Sequence, residues 1–266
     1  MDSSTAAGKR LLFLAALALL TALAWLYLFH LSARMAMLDS AGMPDMPGMA
    51  SAILTPGAQP WTVADFALAW VMWAVMMVAM MTPSATPMLL LHAGVGRDAA
   101  RRGQRWSATA WFAAGYFLAW SSFSLAAAAV QAGLQQAAWL TPMLAPARPA
   151  FAATVLIAAG LYQFTPFKSA CLSHCRSPLH FIQQHGGFRP NPGGSLALGL
   201  RHGWYCIGCC WALMALLFAV GVMNLAWVAA LAVIVLLEKT LSSGPLLARL
   251  AGLGLIAFGG FTLLRP

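Results

Sequence analysis

Charge is what this chain has least of. Only 8% of its 266 residues are Asp, Glu, Lys or Arg, against about 25% in an ordinary soluble domain. That is too little to coat a water-facing surface, so lipid is the expected solvent. Only 6 residues are acidic, leaving a net charge of +9. A nucleic-acid reader would gather such an excess on one folded face. Here the Lys and Arg residues fall in short gaps between apolar runs, as membrane orientation requires, and nucleic acid is set aside. No phosphate-binding GxxxxGK[ST] loop exists: the lone Gly-Lys pair is Gly8-Lys9, followed by Arg10, and ATP chemistry is set aside with it. The last apolar segment has no lysine, which excludes a retinal Schiff base there. Nor does any catalytic constellation stand out, so no catalytic residue is assigned and a non-enzymatic role is expected.

What is abundant is apolar. Hydrophobic residues make up 61% of the chain, and the mean hydropathy is +0.77. A membrane-crossing helix needs about 20 apolar residues. Seven segments qualify or nearly do: residues 11–29, 61–91 (with bends expected at Pro83 and Pro87), 107–130, 149–164, 196–222, 225–237 and 245–264. The first is too long for the apolar core of a signal peptide, about 7–15 residues, and no small-x-small cleavage site follows. It is therefore expected to be a retained helix. The expected fold is all-α, a polytopic transmembrane bundle of about seven helices.

Positive charge orients the bundle. Lys9, Arg10, Arg97, Arg101, Arg102, Arg105, Lys168, Arg176, Arg189, Arg201, Lys239 and Arg249 fall on one side, and only Arg34, Arg148 and Arg265 on the other. The basic side faces the cytoplasm, so the amino terminus is expected inside and the carboxyl terminus outside. Three parts follow: an amino-terminal helix (residues 1–33), an external loop rich in Met and Pro (34–60) and a membrane core (61–266). Within that core, residues 168–195 read as a polar cytoplasmic loop that carries cysteines.

Five cysteines fall in two groups, Cys171 with Cys175 and Cys206 with Cys209 and Cys210. Small secreted domains use disulfide frameworks, but grouping of this kind suits metal or redox chemistry. On a helix, His202, Cys206, Cys210 and Met214 form an i, i+4 ladder on one face, with Cys209 about 60° to its flank. The ladder climbs about 18 Å, from the cytoplasmic end towards the middle of the membrane. Thiolates and thioethers favour Cu(I) or zinc over hard cations. Cys171 and Cys175 lie one helical turn apart, beside His174, and their segment returns to the membrane side where the 206–210 group begins. The two groups are therefore expected to meet on one metal.

Met72, Met76 and Met80 repeat every fourth residue in the second segment, and Met43, Met46 and Met49 every third residue beside Asp45 in the outer loop. Methionine also fills core gaps, so the helical stripe reads either as packing or as a thioether relay. His30, His92 and Asp65 read as ordinary helix-end residues, and His180 and His185 as solvated residues of the inner loop or late ligands. Glu238 with Lys239 reads either as an interfacial ion pair or as ionisable residues placed near the bundle interior for function.

Three stretches together resemble one bacterial family: Trp73-x-x-Met76-Met77-x-x-Met80-Met81-x-Pro83, Tyr162-Gln163-x-x-Pro166-x-Lys168-x-x-Cys171-x-x-x-Cys175, and Cys206-x-x-Cys209-Cys210-Trp211 followed by Gly221-Val222-Met223-Asn224 and Glu238-Lys239. The family is the domain-of-unknown-function family of metal-binding integral membrane proteins. Some of its members are regarded as membrane copper chaperones serving tyrosinase- and laccase-type oxidases. The resemblance implies a multi-pass protein of the bacterial inner membrane that handles copper for a copper-dependent oxidase or other copper protein. Two other readings stay open on the residues alone. One is a membrane thiol oxidoreductase that works through cysteine pairs. The other is a structural zinc site of Cys171, Cys175, Cys206 and Cys209.

Overall fold

Local capping sets where the helices start. The chain is described by a computed structural model covering residues 3–40, 61–103, 109–141, 144–187 and 190–264. Helix α1 runs Ser3–Ser40. Helix α2, Val63–Arg101, opens on a capping box in which the Thr62 hydroxyl accepts from the Asp65 amide and the Asp65 carboxylate accepts from the Thr62 amide. Two otherwise orphaned N–H groups are thus satisfied, and the helix-end reading of Asp65 gains a specific role. Helix α3 is Thr109–Gln136 and α4 is Pro149–Tyr162. Pro166 and Pro178 stand at the first turns of α5 (Pro166–Arg176) and α6 (Pro178–Gln184), where a missing N–H costs nothing. Asn191 caps α7, Pro192–Ala215. A short α8, Leu217–Val220, continues it. Asn224 caps α9, Leu225–Thr240, and α10 is Gly244–Leu264. Among the described residues the β-type pairing is confined to one isolated bridge, Leu140 with Pro146.

The all-helical expectation holds, with two differences in detail. Residues 34–40 continue α1 as helix and are not loop; the rest of the external segment, with Met43, Asp45, Met46 and Met49, lies outside the described residues. Residues 168–195 are mostly folded, as α5, α6 and the first turn of α7. Their polar composition hid two proline-started helices. Pro83 and Pro87 stand inside an assigned helix that continues past both, while Thr82, Ser84 and Thr86 donate back to the carbonyls of the preceding turn.

Among the described residues five helices are long and apolar enough to cross a membrane, and a sixth span exists if α4 and α5, bent by 66°, count as one. Neither α4 nor α9 is long enough alone: at 1.5 Å per residue they reach about 21 and 24 Å, against a hydrocarbon core of about 30 Å.

Helix α7 is the most enclosed of the apolar helices, with 72% of its apolar window buried against 17% for α10. Its tightest neighbour is α3. A Cβ added at Gly199 would strike the Phe112 backbone, and one at Gly115 would strike Leu196. Small residues of this kind let membrane helices approach closely. Gly199→Leu is therefore expected to separate α3 from α7 and destabilise the protein severely. Loss of the monodisperse peak in detergent chromatography checks this, and a wild-type elution and melting profile would show that the α3–α7 seam has slack.

Candidate metal centre

The 66° turn after α4 positions the chemistry. Thr165 caps the new helix by accepting from the Lys168 amide at 3.3 Å, and α5 then runs back against α7. Glycine makes room for this approach: a Cβ at Gly208 would stand 2.7 Å from the Cys171 sulfur. The Tyr162 hydroxyl ties the same place down by donating to the Gly208 carbonyl.

The two cysteine groups meet. Cys175 Sγ of α5 lies 3.9 Å from Cys209 Sγ of α7, and the thiol of Cys206 neighbours those of Cys175, Cys209 and Cys210. All five cysteines are free thiols. Cys171, Cys206, Cys209 and Cys210 are buried and Cys175 is half-buried. A single ion bonded to two sulfurs at about 2.3 Å would hold them roughly 3.8 Å apart at a tetrahedral angle and roughly 4.0 Å apart at a trigonal one. The Cys175–Cys209 spacing falls between these.

The centre is not closed. Among the described residues no three His, Cys, Asp or Glu side chains already stand as a metal-holding group. The hydrogen bonds give the reason. Cys209 and Cys210 both turn back along α7 and donate to the Cys206 carbonyl, at 3.1 and 2.9 Å. A soft ion takes these thiols as thiolates, so both bonds to the backbone are given up with their protons.

Cys206 has the most polar surroundings. The Lys239 ammonium, buried in α9, donates to its sulfur at 2.9 Å. Tyr116 of α3 brings its hydroxyl to 3.1 Å. Lys239 also donates to Ser84 of α2 at 3.3 Å. An ammonium carries only donors, so it presents positive charge to sulfur in a region shielded from water. Ser84 continues the four-residue repeat of Met72, Met76 and Met80, all three buried. The methionine stripe thus ends at a residue joined through Lys239 to Cys206.

The interfacial ion pair expected of Glu238 and Lys239 is not formed. Both are buried, and they face different partners. Glu238 accepts from Lys168 at 2.8 Å, with the two side chains 2% and 1% exposed, and Lys168 also donates to the Gln163 side-chain oxygen. Breaking a buried pair by removing one partner costs about 3–5 kcal/mol. Lys168→Met is accordingly expected to cost about 3–5 kcal/mol of stability, read as a lower unfolding midpoint in detergent. An unchanged midpoint would mean the pair supplies no cohesion between α5 and α9.

The other residues singled out in the sequence sit around this core. Met214 is fully enclosed at the far end of the α7 ladder. His202, also on the ladder, is buried among the rings of Phe112, Tyr116 and Phe181, and among the described residues its Nδ1 has no hydrogen-bond partner. His174 lies at the rim, stacked on Tyr205 with ring centres 4.3 Å apart. His180 is exposed beside Gln184. His92 is not a helix-end surface residue but is buried, 3.2 Å from the Thr109 hydroxyl and 3.4 Å from that of Ser195. Gln163 carried a sequence signal only as part of the motif around Cys171 and Cys175, and Tyr116 carried none.

Comparison with known proteins finds no match among curated proteins and none among solved structures. One family does match, PpoB2, described as copper chaperone, over residues 70–262. That stretch holds all five cysteines, the Met72–Met80 stripe, Tyr116, Lys168, Glu238 and Lys239. It covers well over half of the chain, which therefore belongs to the PpoB2 copper chaperone family.

Proposed function

We propose that this chaperone is a multi-pass protein of the bacterial inner membrane that holds Cu(I) on thiolates of Cys175, Cys206 and Cys209, with Cys171 and Cys210 in reserve, and passes it to a copper-dependent oxidase or other copper protein. The observation that carries this reading is the 3.9 Å approach of Cys175 and Cys209 from two different helices, beside a thiol that faces a buried ammonium. Thiolate donors favour Cu(I) or zinc over hard cations, and the copper chaperone family supports copper of the two. A Cu(I) ion on these three thiolates carries two net negative charges, and Lys239 is placed to offset one of them without help from water.

In this reading the seven apolar segments all cross the bilayer, the short α4 and α9 with the help of their flanking residues, and the amino terminus lies inside and the carboxyl terminus outside. The basic residues on the inner side support this orientation. The cysteine centre then opens towards the cytoplasm, and Met72, Met76 and Met80 lead away from it towards the outer face as weak thioether ligands. Labelling of single cysteines engineered at Arg101 and Gly193 of a cysteine-free variant tests the orientation. Both are expected to react only after the membrane is permeabilised, and reaction in intact cells would invert it.

Metal content tests the cargo. Protein purified from copper-supplemented cells should retain copper. Zinc in its place would support the structural zinc site, and a metal-free protein with a titratable disulfide would support thiol oxidoreduction. The relay has its own test. Leucine nearly matches methionine in volume, and such swaps usually cost less than about 1.5 kcal/mol. Met76→Leu with Met80→Leu should therefore leave the amount of folded protein almost unchanged while lowering copper delivery to a partner oxidase. Wild-type delivery from that variant would make the stripe core packing and nothing more.

A further inference from the structure

Two imidazoles stand just outside the cysteine centre in an arrangement that packing alone does not require. His174 is the residue before Cys175 on α5, and His185 closes the end of α6. Each holds its Nδ1 2.7 Å from the backbone carbonyl four residues earlier, Ala170 for His174 and Phe181 for His185. A carbonyl only accepts, so Nδ1 bears the proton in both rings, and in the neutral imidazole the lone pair is left on Nε2. Among the described residues neither Nε2 has a hydrogen-bond partner. This is the outer-shell pattern of metal-binding histidines, in which the second ring nitrogen donates to a carbonyl and fixes both tautomer and ring orientation.

The rings are held in place and close together. His174 stacks on Tyr205 at 4.3 Å with planes 12° apart, and His185 packs on Phe181 at 4.4 Å. The centres of the two imidazoles are 6.2 Å apart. A metal–nitrogen bond is about 2.0–2.1 Å, and the nitrogen lies about 1.1 Å from the ring centre. One ion bound linearly by two Nε2 atoms therefore sets the centres at most about 6.3 Å apart. With the ring planes 70° apart, the observed separation lies within the span that one ion between two Nε2 atoms allows, at the low coordination number that Cu(I) tolerates and hard divalent cations do not. Both residues are half-buried, so the pair borders the surface while Cys175 borders the sulfurs.

We propose that His174 and His185 form a second, imidazole-only Cu(I) site at the rim of the cysteine centre. It is a waiting position through which the ion exchanges with the solvent-facing side. Its cargo rests on the copper reading given above, but its geometry does not depend on the cysteines. Neutral imidazoles bind more weakly than thiolates, so the ion held here passes readily, exchanging two copper–nitrogen bonds for copper–sulfur bonds.

Full-length protein in detergent micelles, titrated with Cu(I) against a competing chelator, tests the proposal. Wild type should show a tight class of site and a weaker one. His174→Gln with His185→Gln should lose the weaker class, one copper equivalent, and keep the tight class. In X-ray absorption spectra at copper excess, the nitrogen shell should vanish in that variant. Cys206→Ser with Cys209→Ser should do the reverse, losing the tight class and keeping the weaker. An unchanged stoichiometry and nitrogen shell in the histidine variant overturns the rim site, whatever the cysteines do. An unchanged tight class in the cysteine variant overturns the thiolate reading and leaves the rim site to be judged on its own. His185→Gln alone repeats the test if the double variant does not fold.

Discussion

Replacing Cys206 and Cys209 together with serine is expected to strip copper from the purified protein while leaving its fold intact. These two residues supply the thiol that faces Lys239 and the α7 partner of the 3.9 Å sulfur pair. Serine is nearly the same size, and its hydroxyl can keep the bond that Cys209 makes to the Cys206 carbonyl at 3.1 Å. A hydroxyl, however, is a hard, protonated oxygen with little affinity for Cu(I). Loss of both donors should exceed the roughly 10–100-fold effect typical of outer partners of a metal site. Circular dichroism and chromatography check the fold, and copper content checks the site. A folded double variant that still carries wild-type copper removes these thiols from the centre.

The second large effect is expected at Lys239, which need not touch the metal at all. Lys239→Gln keeps a polar group of similar length that can still meet Ser84, now 3.3 Å from the ammonium, but deletes the positive charge beside Cys206. A thiolate–copper unit buried without a counter-charge is costly. Affinity should fall about 10–100-fold, as for other outer partners, with the number of copper ions bound unchanged. That separation of affinity from stoichiometry distinguishes charge balance from ligation. Lost stoichiometry would make Lys239 a scaffold of the pocket, and unaltered affinity would make its charge irrelevant.

Parts of this site were legible in the sequence for a simple reason. His202, Cys206, Cys210 and Met214 lie on one helix, where spacing alone fixes a shared face, and all four are buried. The meeting of Cys175 with Cys209 was also within reach, because only 34 positions separate them and the polar segment between returns the chain to where α7 begins. Glu238 and Lys239 defeated the same logic. Neighbours in sequence suggest a pair, yet adjacent residues on a helix point about 100° apart and do not face each other. Each turned to a different helix, Lys168 on α5 and Cys206 on α7. Tyr116 was invisible because its partner lies 90 residues away, and no local pattern marks it. Residues 168–195 misled by composition: few apolar residues suggested a loop, while Thr165 with Pro166, and Pro178, were helix starts all along. The rim histidines needed coordinates too, since only a direction for each Nδ1 shows which nitrogen is left bare.

X-ray absorption at the copper edge, on protein loaded with a single equivalent of Cu(I), tests the central claim most directly. The account predicts copper in the +1 state bound by two or three sulfurs at about 2.3 Å, with Cys206→Ser and Cys209→Ser together abolishing that shell. A first shell of nitrogen or oxygen alone at one equivalent would contradict it.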